Sequence, residues 1–197
     1  WIMGQKKIVL VMVLALVVLL GGAYALYANL GAALSPNQMS TQEADTDNGE
    51  SGGSEEVESV PAPNFTVYDR EGNEVHLSDY IGKPVVMNFW ASWCGPCQSE
   101  MPDFQEKYLE LGEEIQFLMI NMTGGRETLD TAQAFIAEQG YTFPVFYDLD
   151  ADAAITYGAY SLPTTYFIDA EGNAVAQATG AIDRETLQTG IDMIWNG

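Results

Sequence analysis

The sequence predicts an α/β fold in which a mixed central β-sheet is flanked by helices, carries an added N-terminal β-hairpin and is preceded by one transmembrane helix. From residue 61 onward, short apolar runs alternate with helical patterns, which favours a sheet covered on both faces. Hairpin patterns stand near both ends of this region. An uncharged apolar stretch, residues 8–30, precedes it and is long enough to cross a bilayer as a helix.

The charges around this apolar stretch predict its orientation in a membrane. Two lysines directly precede it, and the next basic residue in the chain is Arg70. Because cytoplasmic flanks are enriched in basic residues, we expect residues 1–7 in the cytoplasm and everything after residue 30 outside it. A cleaved signal peptide is the alternative, since Ala23-Tyr24-Ala25 resembles a cleavage site. The apolar run is longer than a usual signal-peptide core, which favours an uncleaved anchor.

Residues 31–60 are predicted to form a flexible acidic linker. They are rich in Gly, Ser, Thr and Asn, contain seven acidic residues and have no aromatic side chain. Such a composition cannot bury enough apolar surface to fold, and its charges repel one another. The folded domain is therefore expected to be residues 61–197.

The first half of that domain predicts a hairpin, a buried strand and a helix. Residues 65–68 and 74–77 have strand-like composition around a turn that contains Asp, Gly and Asn. The apolar and aromatic run 85–90 predicts a strand buried on both faces. The pattern that follows Cys97 predicts a helix.

The second half repeats this alternation. Apolar runs indicate the strands, a glycine ends the first helix, a Glu-Gly-Asn turn joins the last two strands, and helical spacing indicates the final helix. In chain order the predicted elements are a strand at 115–121, a helix at 127–139 ending at Gly140, a strand at 144–147, a helical turn at 151–157, a hairpin of strands 164–169 and 174–179, and an amphipathic helix at 183–195.

The chain contains two cysteines, Cys94 and Cys97, and their setting predicts a reactive pair. Cys94 is expected where the strand passes into the helix, and Cys97 in the first helical turn. Unpaired amide groups and the positive end of the helix dipole favour thiolate there. A Cys-x-x-Cys pair in this position can lower the first thiol pKa from about 8.5 to roughly 7 or below. We therefore predict Cys94 as the nucleophile and Cys97 as the resolving thiol of thiol-disulfide exchange.

Two other uses of the pair are disfavoured. A zinc site normally needs four ligands, and the chain offers no second cysteine pair and one histidine, so no metal site is predicted. A structural disulfide between residues three apart closes too small a loop to stabilise much.

These residues resemble a known family. The segment FWASWCGPC is similar to the thioredoxin active-site signature, and the wider pattern resembles the membrane-anchored TlpA/ResA branch of thioredoxin-like proteins in the redoxin superfamily. The segments that match the family pattern are residues 62–65 (APNF), 69–72 (DREG), 77–84 (LSDYIGKP), 89–97, Glu100, Pro102 and 162–169 (LPTTYFID).

The resemblance implies a thioredoxin-like fold and a substrate groove beside the cysteines. It implies a cis Leu162–Pro163 bond, with Leu162 presenting its backbone to a substrate peptide, Pro163 shaping the groove and Trp93 forming another wall. Glu100 matches an acidic residue that the family keeps beside its cysteines, so a buried carboxylate with a raised pKa is expected to act as general base for Cys97. An exposed helix glutamate is the alternative. Asn88 stands where soluble thioredoxins carry a buried aspartate.

The activity implied is that of a membrane-tethered, extracytoplasmic thiol-disulfide oxidoreductase that reduces protein disulfides, such as those of apocytochrome c during cytochrome c maturation. A transmembrane thiol carrier would supply electrons, and no cofactor is needed. Three alternatives stay open: a disulfide-forming oxidant, a copper-binding dithiol module, and a peroxiredoxin-like peroxidase. The peroxidase is disfavoured because Met87 and Ala91 occupy the positions where its Pro and Thr or Ser should stand.

Charge excludes one class of partner. From residue 61 onward, 21 acidic and 5 basic residues give a net charge of −16, within a total of −21. Nucleic acid and anionic lipid would be repelled. One interpretation of the negative charge is that it attracts basic partners. The alternative, which we favour, is that it keeps the protein soluble or suits it to a salty habitat.

Overall fold

The computed structural model describes residues 38–41 and 60–196, and an eight-stranded β-sheet runs through them. In chain order the strands are β1 (Gln38–Thr41), β2 (Thr66–Tyr68), β3 (Glu74–His76), β4 (Val85–Trp90), β5 (Gln116–Asn121), β6 (Val145–Tyr147), β7 (Thr164–Ile168) and β8 (Ala174–Thr179). The helices are α1 (Gly95–Leu111), α2 (Leu129–Gln139), α3 (Asp152–Tyr157) and α4 (Arg184–Ile194). From residue 85 onward, each predicted element is present, and those whose bounds the sequence predicts lie within two residues of them.

The sheet is mixed, as the sequence predicts. Its strand order is β1-β8-β7-β4-β5-β6-β2-β3. The central strands β4, β5 and β6 run parallel, and β7 and β8 continue the sheet in antiparallel fashion. At the other edge β2 pairs antiparallel with β3, with Thr66 opposite His76, where the sequence predicts the N-terminal hairpin.

Side chains of β4 alternate between two cores. Val86 and Trp90 lie in a core that includes buried residues of α1, α2 and α4. Val85, Met87 and Phe89 lie in a second core with buried residues of α3. Since successive strand residues point to opposite faces, the helices cover both faces of the sheet. All six residues of β4 are buried, which agrees with the continuous apolar run in the sequence.

Helix α4 comes very close to strand β7. The Cα of Gly190 faces the ring of Phe167, and a Cβ at this position would lie 2.2 Å from the ring carbon Cζ. Ordinary contacts of a Cβ fall between 3.4 and 4 Å. Glycine is thus the residue that permits this approach.

Strand β1 corrects the prediction for residues 31–60. Gln38–Thr41 was expected to be part of the flexible linker, but it pairs antiparallel with β8, with Met39 opposite Ala178. Met39 also packs against the core on the α1 side. This segment precedes the acidic residues, the first of which is Glu43, so no charge repulsion keeps it from the sheet edge.

Other predictions for the N-terminal region lie outside the described residues. These are the cytoplasmic segment 1–7, the transmembrane span 8–30 and most of the linker. Within residues 38–41 and 60–196, no helix combines the length and the apolar character that a membrane crossing requires.

Candidate active site

Cys94 and Cys97 lie at the N-terminus of α1, directly after β4, as predicted. Cys94 is the N-cap residue of the helix, and its Sγ accepts a hydrogen bond of 3.2 Å from the backbone N–H of Cys97. The two cysteines form a disulfide, with 5.2 Å between their Cα atoms. Once the disulfide is reduced, this amide and the helix N-terminus favour a thiolate at Cys94 over a thiol.

The two sulfur-bearing residues differ in access. An open groove of about 570 Å³ has Cys94 in its wall, whereas Cys97 is completely buried behind it. The residues that line the groove are Trp93, Cys94, Gly95, Pro96, Met122, Arg126, Ala159, Tyr160 and Leu162. A partner that enters the groove therefore meets Cys94 before Cys97, and the predicted role of Cys94 as nucleophile requires such access.

The substrate-binding residues predicted from the resemblance come together only in part. Trp93 and Leu162 line the groove, and Trp93 is 45% exposed. The Leu162–Pro163 peptide bond is cis, as expected. Pro163 itself is buried and its carbonyl accepts a hydrogen bond from the N–H of Gly180, so it lies behind the groove surface and is not part of its lining.

Glu100 lies one helical turn after Cys97 and is buried, with 2% of its surface exposed. Its Oε1 accepts a hydrogen bond of 2.8 Å from Asn88 Nδ2, and its Oε2 accepts one of 2.9 Å from the N–H of Ile182. Desolvation raises the pKa of this carboxyl from 4.5 to about 8, although the two hydrogen bonds act in the opposite direction. The burial excludes the alternative of an exposed helix glutamate.

Asn88 connects this carboxyl to the strand beside it. Its Nδ2 also donates a hydrogen bond of 3.0 Å to Thr165 Oγ1 on β7. Its Oδ1 is buried and has no hydrogen-bond partner in the described part of the chain. The network thus joins β4, α1, β7 and the segment before α4 at one protonatable group.

A second buried carboxylate, Glu127, holds the loop before the cysteines. Its Oε2 accepts a hydrogen bond of 2.6 Å from the N–H of Ser92, and its Oε1 accepts hydrogen bonds from the hydroxyls of Ser92 and Thr131. The sequence predicts Glu127 as the start of a helix, but the helix begins at Leu129 with Thr128 as its N-cap. Glu127 therefore precedes the helix and reaches across to the active-site loop.

Arg126, next to Glu127, was also not predicted as a site residue. Its guanidinium carbon lies 3.8 Å from the centroid of the Trp93 ring, within range of a cation-π interaction. Neither contact had a signal in the sequence, because Trp93 and Ser92 lie in a different segment of the chain and no motif connects them to residues 126 and 127.

The arrangement is suited to dithiol chemistry. Within residues 38–41 and 60–196, no three His, Cys, Asp or Glu side chains are grouped so that they could hold a metal ion. The groove presents one sulfur to a partner, the second sulfur lies behind it, and a buried acid lies one turn further along the helix.

Comparison with known proteins agrees with this chemistry. The sequence profile of the AhpC/TSA family matches residues 59–177. The thiol-disulfide oxidoreductase ResA of Bacillus thuringiensis (strain Al Hakam) is 41% identical over 130 residues, which cover 64% of this chain and 72% of that protein.

Solved structures show the same fold. A DsbF homologue from Corynebacterium diphtheriae is 29% identical with a TM-score of 0.63, covering 78% of this chain and 99% of that one. The exposed lipoprotein thioredoxin of Streptococcus pneumoniae is 34% identical with a TM-score of 0.56, covering 66% of this chain and 99% of that one. The chain therefore belongs to the AhpC/TSA family and is a thiol-disulfide oxidoreductase of the ResA type with a thioredoxin-like fold.

Proposed function

We propose that this oxidoreductase works as a reductase of protein disulfides on the extracytoplasmic side of the cell membrane, held there by a single N-terminal span. Its substrates include apocytochrome c before haem attachment, and a transmembrane thiol carrier returns it to the dithiol state. The observation that carries the proposal is the unequal access of the two sulfurs, with Cys94 in the groove wall and Cys97 buried. The relatives named thiol-disulfide oxidoreductase ResA support the exchange chemistry, and the reductive direction is part of the proposal.

The reaction consists of two exchanges. The Cys94 thiolate attacks one sulfur of the substrate disulfide, so that a mixed disulfide forms and the other substrate sulfur leaves as a thiolate that takes a proton. Cys97 then loses its proton and attacks the Cys94 sulfur, which releases the second substrate thiol. Two electrons pass to the substrate, and the enzyme is left with the Cys94–Cys97 disulfide seen in the structure.

Glu100 is suited to handle the proton of Cys97. Its carboxyl lies one helical turn after Cys97, and its raised pKa of about 8 lets it gain and lose a proton close to neutral pH. At pH 7 about a tenth of the molecules carry the ionised carboxylate that can accept this proton. The neutral majority can return a proton when the pair is reduced again.

The other candidate functions have weaker support. A peroxidatic cysteine needs a hydroxyl side chain three residues before it, and Ala91 occupies this position. Copper binding by two thiolates alone lacks the further ligands that such a module is expected to have. A disulfide-forming oxidant uses the same residues in reverse, so the reduction potential decides between it and the reductase.

The proposal is tested by trapping the mixed disulfide. The reduced full chain with Cys97→Ser, in detergent, is mixed with a protein that contains a disulfide and analysed on a non-reducing gel. We expect a covalent complex, because the resolving thiol is absent, and no complex with the matched control Cys94→Ser. A complex formed by Cys94→Ser but not by Cys97→Ser would reverse the assigned roles.

The direction is tested by equilibrating the wild-type chain with dithiothreitol or glutathione buffers and counting free thiols by alkylation. A potential near the thioredoxin value, roughly −270 mV, is expected for a reductase. A potential near roughly −120 mV, typical of a strong oxidant, would contradict the reductive function.

A further inference from the structure

One cation lies on the groove beside the nucleophilic cysteine. The guanidinium of Arg126 is held against the Trp93 ring, and both side chains line the groove together with Cys94. Arg126 is exposed, and the described part of the chain offers it no ion pair or hydrogen bond. Since a guanidinium carries five N–H donors, these remain available to a bound partner.

The position of Arg126 is fixed by its neighbours. Glu127, the next residue, is buried and accepts two hydrogen bonds from Ser92, two residues before Cys94. Gly124 and Glu127 also exchange two backbone hydrogen bonds, of 2.9 and 3.0 Å. Arg126 therefore lies inside a short loop that is closed by its own backbone hydrogen bonds and attached to the cysteine segment through Glu127, and its charge is kept beside the groove.

The positive charge of Arg126 differs in sign from the net charge of the domain. Residues 61–197 carry 21 acidic and 5 basic side chains. Of the other basic residues, Lys107 pairs with Glu110, and Arg184 pairs with acidic residues of α1. No acidic side chain is among the described residues that line the groove. The groove is thus an apolar surface with one positive charge in a strongly negative domain.

We propose that Arg126 determines substrate specificity by pairing with a carboxylate of the substrate, so that the preferred disulfides lie in segments with Asp or Glu close to the attacked cysteine. This inference rests on the proposed function. Charges further apart than about 8 Å are largely screened at physiological salt, so the net charge of the domain has little influence on a contact made inside the groove. The apolar walls, such as Tyr160 and Leu162, accept the rest of the segment.

The experiment uses two disulfide-linked peptides that differ in one residue beside the cysteine, Asp in one and Asn in the other. Their reduction by the full chain in detergent is followed with dithiothreitol as the electron donor. We expect the wild type to favour the Asp peptide about threefold to fivefold in kcat/KM, through KM, which is the range of an exposed ion pair. Arg126→Gln should lose this preference, and Arg126→Lys should keep part of it.

The matched control is Arg70→Gln, which removes the same charge from an exposed position in the β2–β3 turn and should leave the preference unchanged. If both peptides are reduced but the wild type and Arg126→Gln show the same preference between them, the inference is overturned. If the wild type reduced neither peptide, the proposed function would fail and the specificity with it. Loss of the preference in Arg70→Gln as well would overturn the assignment to Arg126, because the effect would then be one of net charge.

Discussion

Replacing Glu100 by Gln removes a buried charge while keeping the shape of the side chain. Glu100 accepts hydrogen bonds from Asn88 and from the N–H of Ile182. The Gln side chain keeps one accepting oxygen and has an NH2 group, which only donates, in place of the other. The Asn88 amide can turn over, so that its Oδ1, which now has no partner in the described residues, accepts from the new amide and from the hydroxyl of Thr165. The variant is therefore expected to fold.

The expected change in the free energy of unfolding follows from the pKa of Glu100. The carboxyl has a pKa of about 8 in the folded state against an ordinary value of 4.5, so the folded state binds the proton more tightly. Its contribution to stability is fully present below pH 4.5 and is lost as the pH rises through about 8. At ~1.36 kcal/mol per pKa unit, the free energy of unfolding falls by about 5 kcal/mol over this range. The Glu100→Gln side chain does not ionise, so the free energy of unfolding of this variant should not fall for this reason.

The assay is urea unfolding of the oxidised fragment 36–197 at pH values from 4 to 9, for wild type and Glu100→Gln. The cysteines do not titrate in the disulfide state, and the other titrating groups are common to both proteins. We expect the stability of the variant relative to the wild type to rise with pH, most steeply up to about pH 8. Parallel curves across this range would refute a raised pKa at Glu100 and, with it, the proton transfer assigned to this residue.

Three further changes test the packing of the domain and its loops by the same measurement. Gly190→Ala places a Cβ 2.2 Å from the Phe167 ring and should lower the free energy of unfolding by about 1–3 kcal/mol, even though Ala is the better helix former. Glu127→Gln weakens the charge-assisted hydrogen bonds to Ser92 and should cost about 1.5–3 kcal/mol. Met39→Ser removes the apolar contact of β1 with the core and should cost about 1 kcal/mol.

Each of these changes has a matched control. Thr189→Ala changes an exposed neighbour on α4, Glu171→Gln removes a charge from an exposed turn, and Ser40→Ala changes an exposed residue of β1. All three should stay within about 0.5 kcal/mol of the wild type. If a test variant were no less stable than its control, the contact assigned to that residue would not contribute to stability.

The parts of the site that the sequence predicts are those whose residues are neighbours in the chain. Cys94 caps the helix that contains Cys97 and Glu100, so a strand pattern and a helix pattern predict their positions along the chain, whereas the burial of Glu100 is expected from the resemblance. The resemblance singles out both Asn88 and Glu100, but their hydrogen bond depends on how β4 and α1 pack, which spacing does not show. Pro163, which the resemblance implies shapes the groove, is buried next to the groove residue Leu162.

Contacts between distant segments could not be predicted. Glu127 and Ser92 are 35 residues apart, and their hydrogen bonds arise because β4 and β5 are parallel neighbours whose following loops meet at one edge of the sheet. Arg126 reaches Trp93 for the same reason. Strand β1 was missed because a short polar segment becomes a strand only when an open sheet edge is available to it.

The pairing of β1 with β8 matters for how the protein behaves when it is shortened. β8 has β7 on one side, and β1 supplies the hydrogen-bonding partner on the other. A fragment that starts at Pro61 retains every residue of the cysteine site but leaves that backbone edge of β8 uncovered. An unpaired strand edge can pair with a strand of another molecule, so we expect such a fragment to self-associate. A fragment that starts at residue 36 retains β1, which pairs with this edge of β8.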